Sequence, residues 1–164
     1  MLRRRYGAPI TWLPFDLHPE YPPEGVPRTD RHHRIAPAFE ANGLAYNVRD
    51  TIPSSQLALC VTELARDRGL HDAVHARLMD AHWAEARDIG DVDELRTLAA
   101  EAGLDDIEPA LTDESYAARI QVSTQQAQQI GINGIPAFLL DGKLLVLGAQ
   151  PLDVFENALD RLGA

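Results

Sequence analysis

The sequence predicts an α/β protein with strands near its two ends and a block of helices at its centre. Three observations carry this. Residues 10–15 (ITWLPF) join β-branched and aromatic side chains in a strand-like run. Residues 137–148 (AFLLDGKLLVLG) set Asp141-Gly142 between two apolar runs, the strongest short-range hairpin signal. Between these ends, residues 31–111 carry apolar positions at helical spacing.

Each element has a local reason. Pro14 lacks the N–H that a central strand needs, so the strand Ile10–Phe15 belongs at a sheet edge or ends there. Residues 16–30 (DLHPEYPPEGVPRTD) hold too many prolines for a regular element and read as an ordered connection. After Ser54-Ser55, the stripe Leu57, Cys60, Val61, Leu64 and Ala65 marks a helix that Gly69 stops as a C′ residue. Leu70, Val74, Leu78 and Ala81 share one face of the next helix. Asp91 can N-cap a third, with Glu94 at the capping-box position and Gly103 at its end. A longer helix follows Thr112 and runs to about Ile130, with Ala117, Ile120, Thr124, Ala127 and Ile130 at helical spacing and Gly131 as its stop. The last helix starts after Pro151 and turns Leu152, Phe155, Leu159 and Leu162 inward. The expected division is 1–30 with 112–164 as one part, and 31–111 as a helical insertion.

Composition narrows the function. A protein of 164 residues, 45% hydrophobic and 24% charged, can bury its own core. Its net charge of −10 opposes a nucleic-acid groove or an anionic membrane surface as partner. No apolar run approaches the ~18 residues of a membrane span. The start, MLRRRYGAPITW, has a basic opening but no apolar stretch behind it, so no signal peptide is read and a cytoplasmic location is expected. The single cysteine, Cys60, excludes an intramolecular disulfide and a cysteine-based zinc site.

The distinctive stretch is residues 130–159, IGINGIPAFLLDGKLLVLGAQPLDVFENAL. It closely resembles the end of DsbA-type thiol–disulfide oxidoreductases, and within them the FrnE-like branch. ITWLPFDLHPEYPPEGVP resembles the stretch after that branch's first helix, and HWAEARDIGDVDELRTLAAEAGL resembles part of its inserted helical domain. The resemblance implies a thioredoxin-like α/β fold with a helical insertion, acting on protein or peptide thiols and disulfides without a cofactor. It also implies that Gly134, Ile135 and Pro136 form a cis-proline loop facing a Cys-x-x-Cys motif. An X-Pro bond gives up most of its trans preference, so cis costs only about 0.5–1 kcal/mol. Such a turn presents the backbone of Ile135 to an extended substrate polypeptide, which pairs with it as an added strand.

The dithiol itself is not in this sequence. In the family, a first strand and the Cys-x-x-Cys precede the stretch matched here, and residues 1–7 look like the end of the first helix. These 164 residues are therefore expected to lack thiol-exchange activity, since no residue supplies a thiolate activated at a helix N-terminus. Without that strand, Ile10–Phe15 has no sheet neighbour and the hairpin has an open inner edge, which invites pairing with another polypeptide. Three explanations follow: the true start lies upstream, the chain was shortened, or a second copy fills the gap as a homo-oligomer. The first is favoured because the remaining residues look like an ordinary family member. Two rival functions stand beside the oxidoreductase. One is a glutathione-dependent, kappa-class-like isomerase or transferase. The other is a redox-dead peptide-binding or chaperone-like module.

The other chemical residues read as structural. Cys60 lies on an apolar stripe and is expected in the core. His71 and His75 are one turn apart and His82 continues roughly the same face, but three ligands on one helix cannot close a zinc tetrahedron. The face is therefore expected to be solvated and metal-free. His32 and His33 sit in a charged stretch and read as surface. Phe15 and His18, near the active-site face in the family, are candidate groove residues.

Overall fold

A computed structural model describes residue 7 and residues 9–163, without the side chains of residues 30–32; the reading of residues 1–7 as a helix end falls almost wholly outside it. The elements run β1 (Val26–Pro27), a 3-10 helix (Asp30–Ile35), α1 (Ala36–Ala41), β2 (Thr51–Ile52), α2 (Gln56–Asp67), α3 (His71–Trp83), α4 (Val92–Glu101), α5 (Glu108–Thr112), α6 (Glu114–Gln129), β3 (Ala137–Leu140), β4 (Leu144–Leu147) and α7 (Leu152–Leu162). The chain divides into two compact units. One is His18–Gln121; the other joins the described residues up to Leu17 to those from Val122 on.

The larger unit is helical because its apolar residues repeat at helical spacing. In α2, Cys60, Val61, Leu64 and Ala65 are buried, and α2 packs against α3, α4 and α5. Leu64, Leu95, Leu98, Ile107, Val61 and Val74 are its largest fully buried side chains. Each contributes about 1.5–3 kcal/mol of transfer free energy. The stops are where the sequence puts them: Gly69 and Gly103 lie just past α2 and α4 with φ of 71° and 87°, a region that glycine enters without a Cβ clash. Asp91 caps α4 by accepting from Glu94 N–H at 2.9 Å. The reciprocal half of the capping box does not form. Glu94 is drawn instead to Arg87, whose Nε donates to its carboxylate at 2.6 Å, and Asp91 N–H donates to the Asp88 carbonyl. A charged guanidinium offers a stronger hydrogen bond than a neutral backbone amide.

At one end of this unit, β1 and β2 form a two-residue antiparallel bridge that pairs Val26 with Ile52. Gly25 enters it at φ 78°, and a Cβ there would collide with the Ile52 carbonyl. Helix α1 buries none of its residues. It is held by Phe39, whose ring lies 5.2 Å from both Tyr46 and Trp83, and the nearby Asn47 N–H donates to the Trp83 carbonyl at 2.7 Å.

The smaller unit holds the hairpin. β3 pairs with β4 from Ala137↔Leu147 to Leu140↔Leu144. Asp141 and Gly142 both take positive φ, 50° and 65°, as the mirror-image hairpin turns require. Phe138 and Val146, opposite each other, face one way, and Phe138 meets Phe155 of α7 edge to face at 4.8 Å. Leu139 and Leu147 lie on the other face, each about half exposed at 50% and 48%. Among the described residues β3 and β4 pair only with each other.

Val26–Pro27 forms β1 where residues 16–30 are expected to hold no regular element, and Thr51–Ile52 forms β2 inside the expected helical block 31–111. Two more expectations need correction. No strand forms over residues 10–15, and neither described sheet includes them. Helix α6 holds the end of that run and the residue after it with its hydroxyls: Ser123 Oγ donates to the Pro14 carbonyl at 2.7 Å and Asp16 N–H donates to Thr124 Oγ1 at 3.0 Å. A strand needs a paired backbone, and neither described sheet lies beside this run. The α6 stripe is also shifted. Tyr116, Ile120 and Thr124 are buried, whereas Ala117 and Ile130 are exposed. Gly131, at φ 90°, ends α6 as expected.

Candidate functional site

The loop joining α6 to β3 is built from its ends. Ile132 is buried and anchors it at one side. At the other, Gly148 N–H donates to the Pro136 carbonyl at 2.8 Å, extending the hairpin ladder by one bond. The Ile135–Pro136 peptide bond is cis. Between the anchors, Gly134 has open space around the position of a Cβ, and Ile135 is 57% exposed. No described residue pairs with the N–H or C=O of Ile135. One donor and one acceptor thus stand unused at the head of β3, beside a half-exposed apolar hairpin face. Chemically, this arrangement can take an extended backbone in strand fashion.

Phe15 is half-buried in the same unit as the loop. His18 belongs to the larger unit, where its ring stacks on Tyr21 with centroids 4.3 Å apart and its Nδ1 lies 2.9 Å from Glu20 Oε1. That hydrogen bond holds the Glu20 carboxyl below the usual range. His33 is exposed, within reach of Tyr46 Oη at 3.3 Å; the side chain of His32 lies outside the described residues. Cys60 is 4% exposed, a core residue as its stripe implies.

The helix α3 histidines correct the expectation of a solvated face. His71 and His75 stack nearly parallel at 5.6 Å, and neither is exposed. Burial, followed by the nearby His71, lowers the pKa of His75. His82 is deeper. Burial first and the Arg28 charge second push its pKa down to about 4, and its Nδ1 is buried with no hydrogen-bond partner among the described residues. The reason is the α3 face itself, which carries Val74, Leu78 and Ala81 into the core and takes the histidines part of the way with them. Among the described residues no group of three or more histidine, cysteine or acidic side chains could hold a metal ion.

Sequence reasoning missed the two hydroxyls, Ser123 and Thr124, that fasten residues 14–16. A threonine within the stripe and a serine beside it were the available signal, because a mid-helix hydroxyl seeks a carbonyl or amide nearby.

Comparison with known proteins decides the family. Residues 1–160 match the DSBA-like thioredoxin domain. The chain belongs to that family. YwbO of Bacillus subtilis (strain 168), an uncharacterized protein, is 29% identical over 161 residues, covering 92% of this chain and 80% of that one. A probable DsbA oxidoreductase from Streptomyces coelicolor is 30% identical, with a TM-score of 0.78 over 90% of this chain and 72% of that one. A putative protein disulfide isomerase from Nitrosomonas europaea has a TM-score of 0.71 over 98% of this chain and 85% of that one, and at 17% identity it attests the fold alone. The thioredoxin-like fold is thereby established. No helix among the described residues is long and apolar enough to cross a membrane.

Proposed function

We propose that this DsbA-family protein carries the substrate-holding half of a protein thiol–disulfide oxidoreductase of the FrnE-like branch, and that these 164 residues alone do not exchange disulfides. The observation that carries the reading is the exposed Ile135, whose backbone N–H and C=O are unused at the head of β3. Gly134, Ile135 and Pro136 hold an extended polypeptide there, and its backbone adds to the hairpin as a strand. Phe15 is a further groove residue of the same unit. The helical segment 31–111 is an insertion in the thioredoxin-like part, and the working location is the cytoplasm.

Exchange itself needs a thiolate that attacks a disulfide sulfur and a second thiol that resolves the mixed disulfide. One cysteine cannot do both, and Cys60 is buried on the apolar side of α2. The burial of the sole thiol also favours the binding-module reading for these 164 residues: peptide affinity without thiol dependence. A second copy docking on the open hairpin edge, and glutathione as a small substrate, are the alternative occupants of the same loop.

An insulin-reduction assay together with binding of an unfolded, cysteine-free polypeptide tests this. The expectation is no turnover, measurable binding, and weaker binding by Pro136→Thr. Substantial turnover by this protein, or binding indifferent to Pro136→Thr, overturns it.

A further inference from the structure

The sequence contains two Asn-Gly pairs, Asn42-Gly43 and Asn133-Gly134, and the structure makes them chemically unequal. An Asn-Gly pair reacts when the glycine backbone nitrogen, having lost its proton, attacks the carbonyl carbon of the Asn amide group. A new bond between that nitrogen and that carbon closes a succinimide ring. The bond from the same carbon to Nδ2 breaks, and ammonia leaves. Water then opens the ring at either carbonyl, giving aspartate or isoaspartate. The step needs a nitrogen not held in a hydrogen bond, a side chain that can swing onto the backbone, and little bulk at the following residue.

Asn42 meets neither of the first two requirements. It is the C-cap of α1, its Nδ2 donates to the Ala38 carbonyl at 2.7 Å, and Gly43 N–H donates to the Glu40 carbonyl at 3.0 Å. Asn133 meets all of them. It is exposed in a stretch without regular structure, and its hydrogen bond from Nδ2 to the Gly131 carbonyl is long at 3.4 Å. No described residue accepts from Gly134 N–H, and nothing lies within 4 Å of where a Gly134 Cβ would sit.

We propose that Asn133-Gly134 is a succinimide-forming modification site, at which water converts Asn133 to aspartate or isoaspartate inside the Ile135–Pro136 loop. The product places a new carboxylate three residues before Pro136, and the isoaspartate form adds one carbon to the backbone there. The modification stands whether or not the loop binds polypeptide.

The test incubates the protein at neutral and mildly alkaline pH and maps both Asn-Gly peptides by mass spectrometry, with isoaspartate read by isoaspartyl methyltransferase. Conversion at Asn133 is expected to run several-fold faster than at Asn42 and to quicken with pH, because the deprotonated amide is the nucleophile. Gly134→Ala, which the open space accommodates, should slow it several-fold with an unchanged circular dichroism spectrum. In urea the two sites should converge, since only the fold separates them. Equal rates in the folded protein, a rate at Asn133 indifferent to Gly134→Ala, or a discrimination that survives in urea would each overturn the proposal.

Discussion

His82 is expected to make the stability of this protein fall on mild acidification. Its ring sits edge-on to Trp83 at 4.5 Å, with its Nδ1 buried and unpartnered among the described residues. The charges that act on it are Arg28, which disfavours protonation, and Asp88, which favours it; Asp88 is itself shared with Arg49 at 3.4 Å. The folded-state pKa is about 4 against 6.5 for the ordinary side chain. The unfolded state therefore takes up the proton first as pH falls. Stability is complete above about pH 6.5, is lost progressively below it, and stops falling for this reason near pH 4. At about 1.4 kcal/mol per pH unit the whole loss is about 3 kcal/mol, of which roughly 2 kcal/mol is gone by about pH 5. Urea unfolding of the wild type and His82→Gln at about pH 7.5 and pH 5 isolates the term, since other groups titrate in both proteins. The variant should lose roughly 2 kcal/mol less than the wild type between those conditions. An NMR titration of the His82 ring gives the midpoint directly, and Arg28→Gln should move it upward. Equal losses in the two proteins, or a His82 midpoint near 6.5, would refute the reasoning.

Other perturbations have equally definite outcomes. Asp91→Ala removes the side chain that accepts from Glu94 N–H and should cost about 1 kcal/mol in chemical denaturation, because Glu94 is occupied by Arg87 and cannot compensate. Leu64→Ala, in the fully buried centre of α2, should cost about 2–5 kcal/mol and lower Tm accordingly. Cys60 should be silent to a thiol reagent in the native protein and react fully in urea; fast native labelling would contradict its burial. Gly25→Ala should destabilise the β1–β2 bridge, visible as faster amide exchange around Ile52, because its positive φ and the nearby Ile52 carbonyl leave no room for a Cβ.

The local chemistry of the protein was legible residue by residue. The α2 stripe, the glycine stops at 69 and 103, the Asp91 cap, the Asp141-Gly142 turn and the inward face of α7 all depend on neighbours within a few positions, and side-chain period and φ preference encode such neighbours directly. The family resemblance was legible for a related reason: the loop before β3 is contiguous in sequence. What failed was non-local. Glu94 satisfies the pattern of a capping box, yet Arg87 takes its carboxylate. Ile10–Phe15 has strand composition, yet a strand exists only against a paired backbone.

The sequence by itself determined an α/β protein of the DsbA type, the ends of α2, α4 and α6, its hairpin, and the presence of a single thiol. Only the tertiary structure decided that Ser123 and Thr124 engage the backbone of residues 14–16. It alone decided that the α3 histidines are carried into half-buried surroundings, and that Ile135 keeps a backbone donor and acceptor unused. The physical reason is the same in each case. Propensity and periodicity act along the chain, whereas a hydrogen bond, a desolvated imidazole or an unfilled backbone position is settled by what the fold brings beside it.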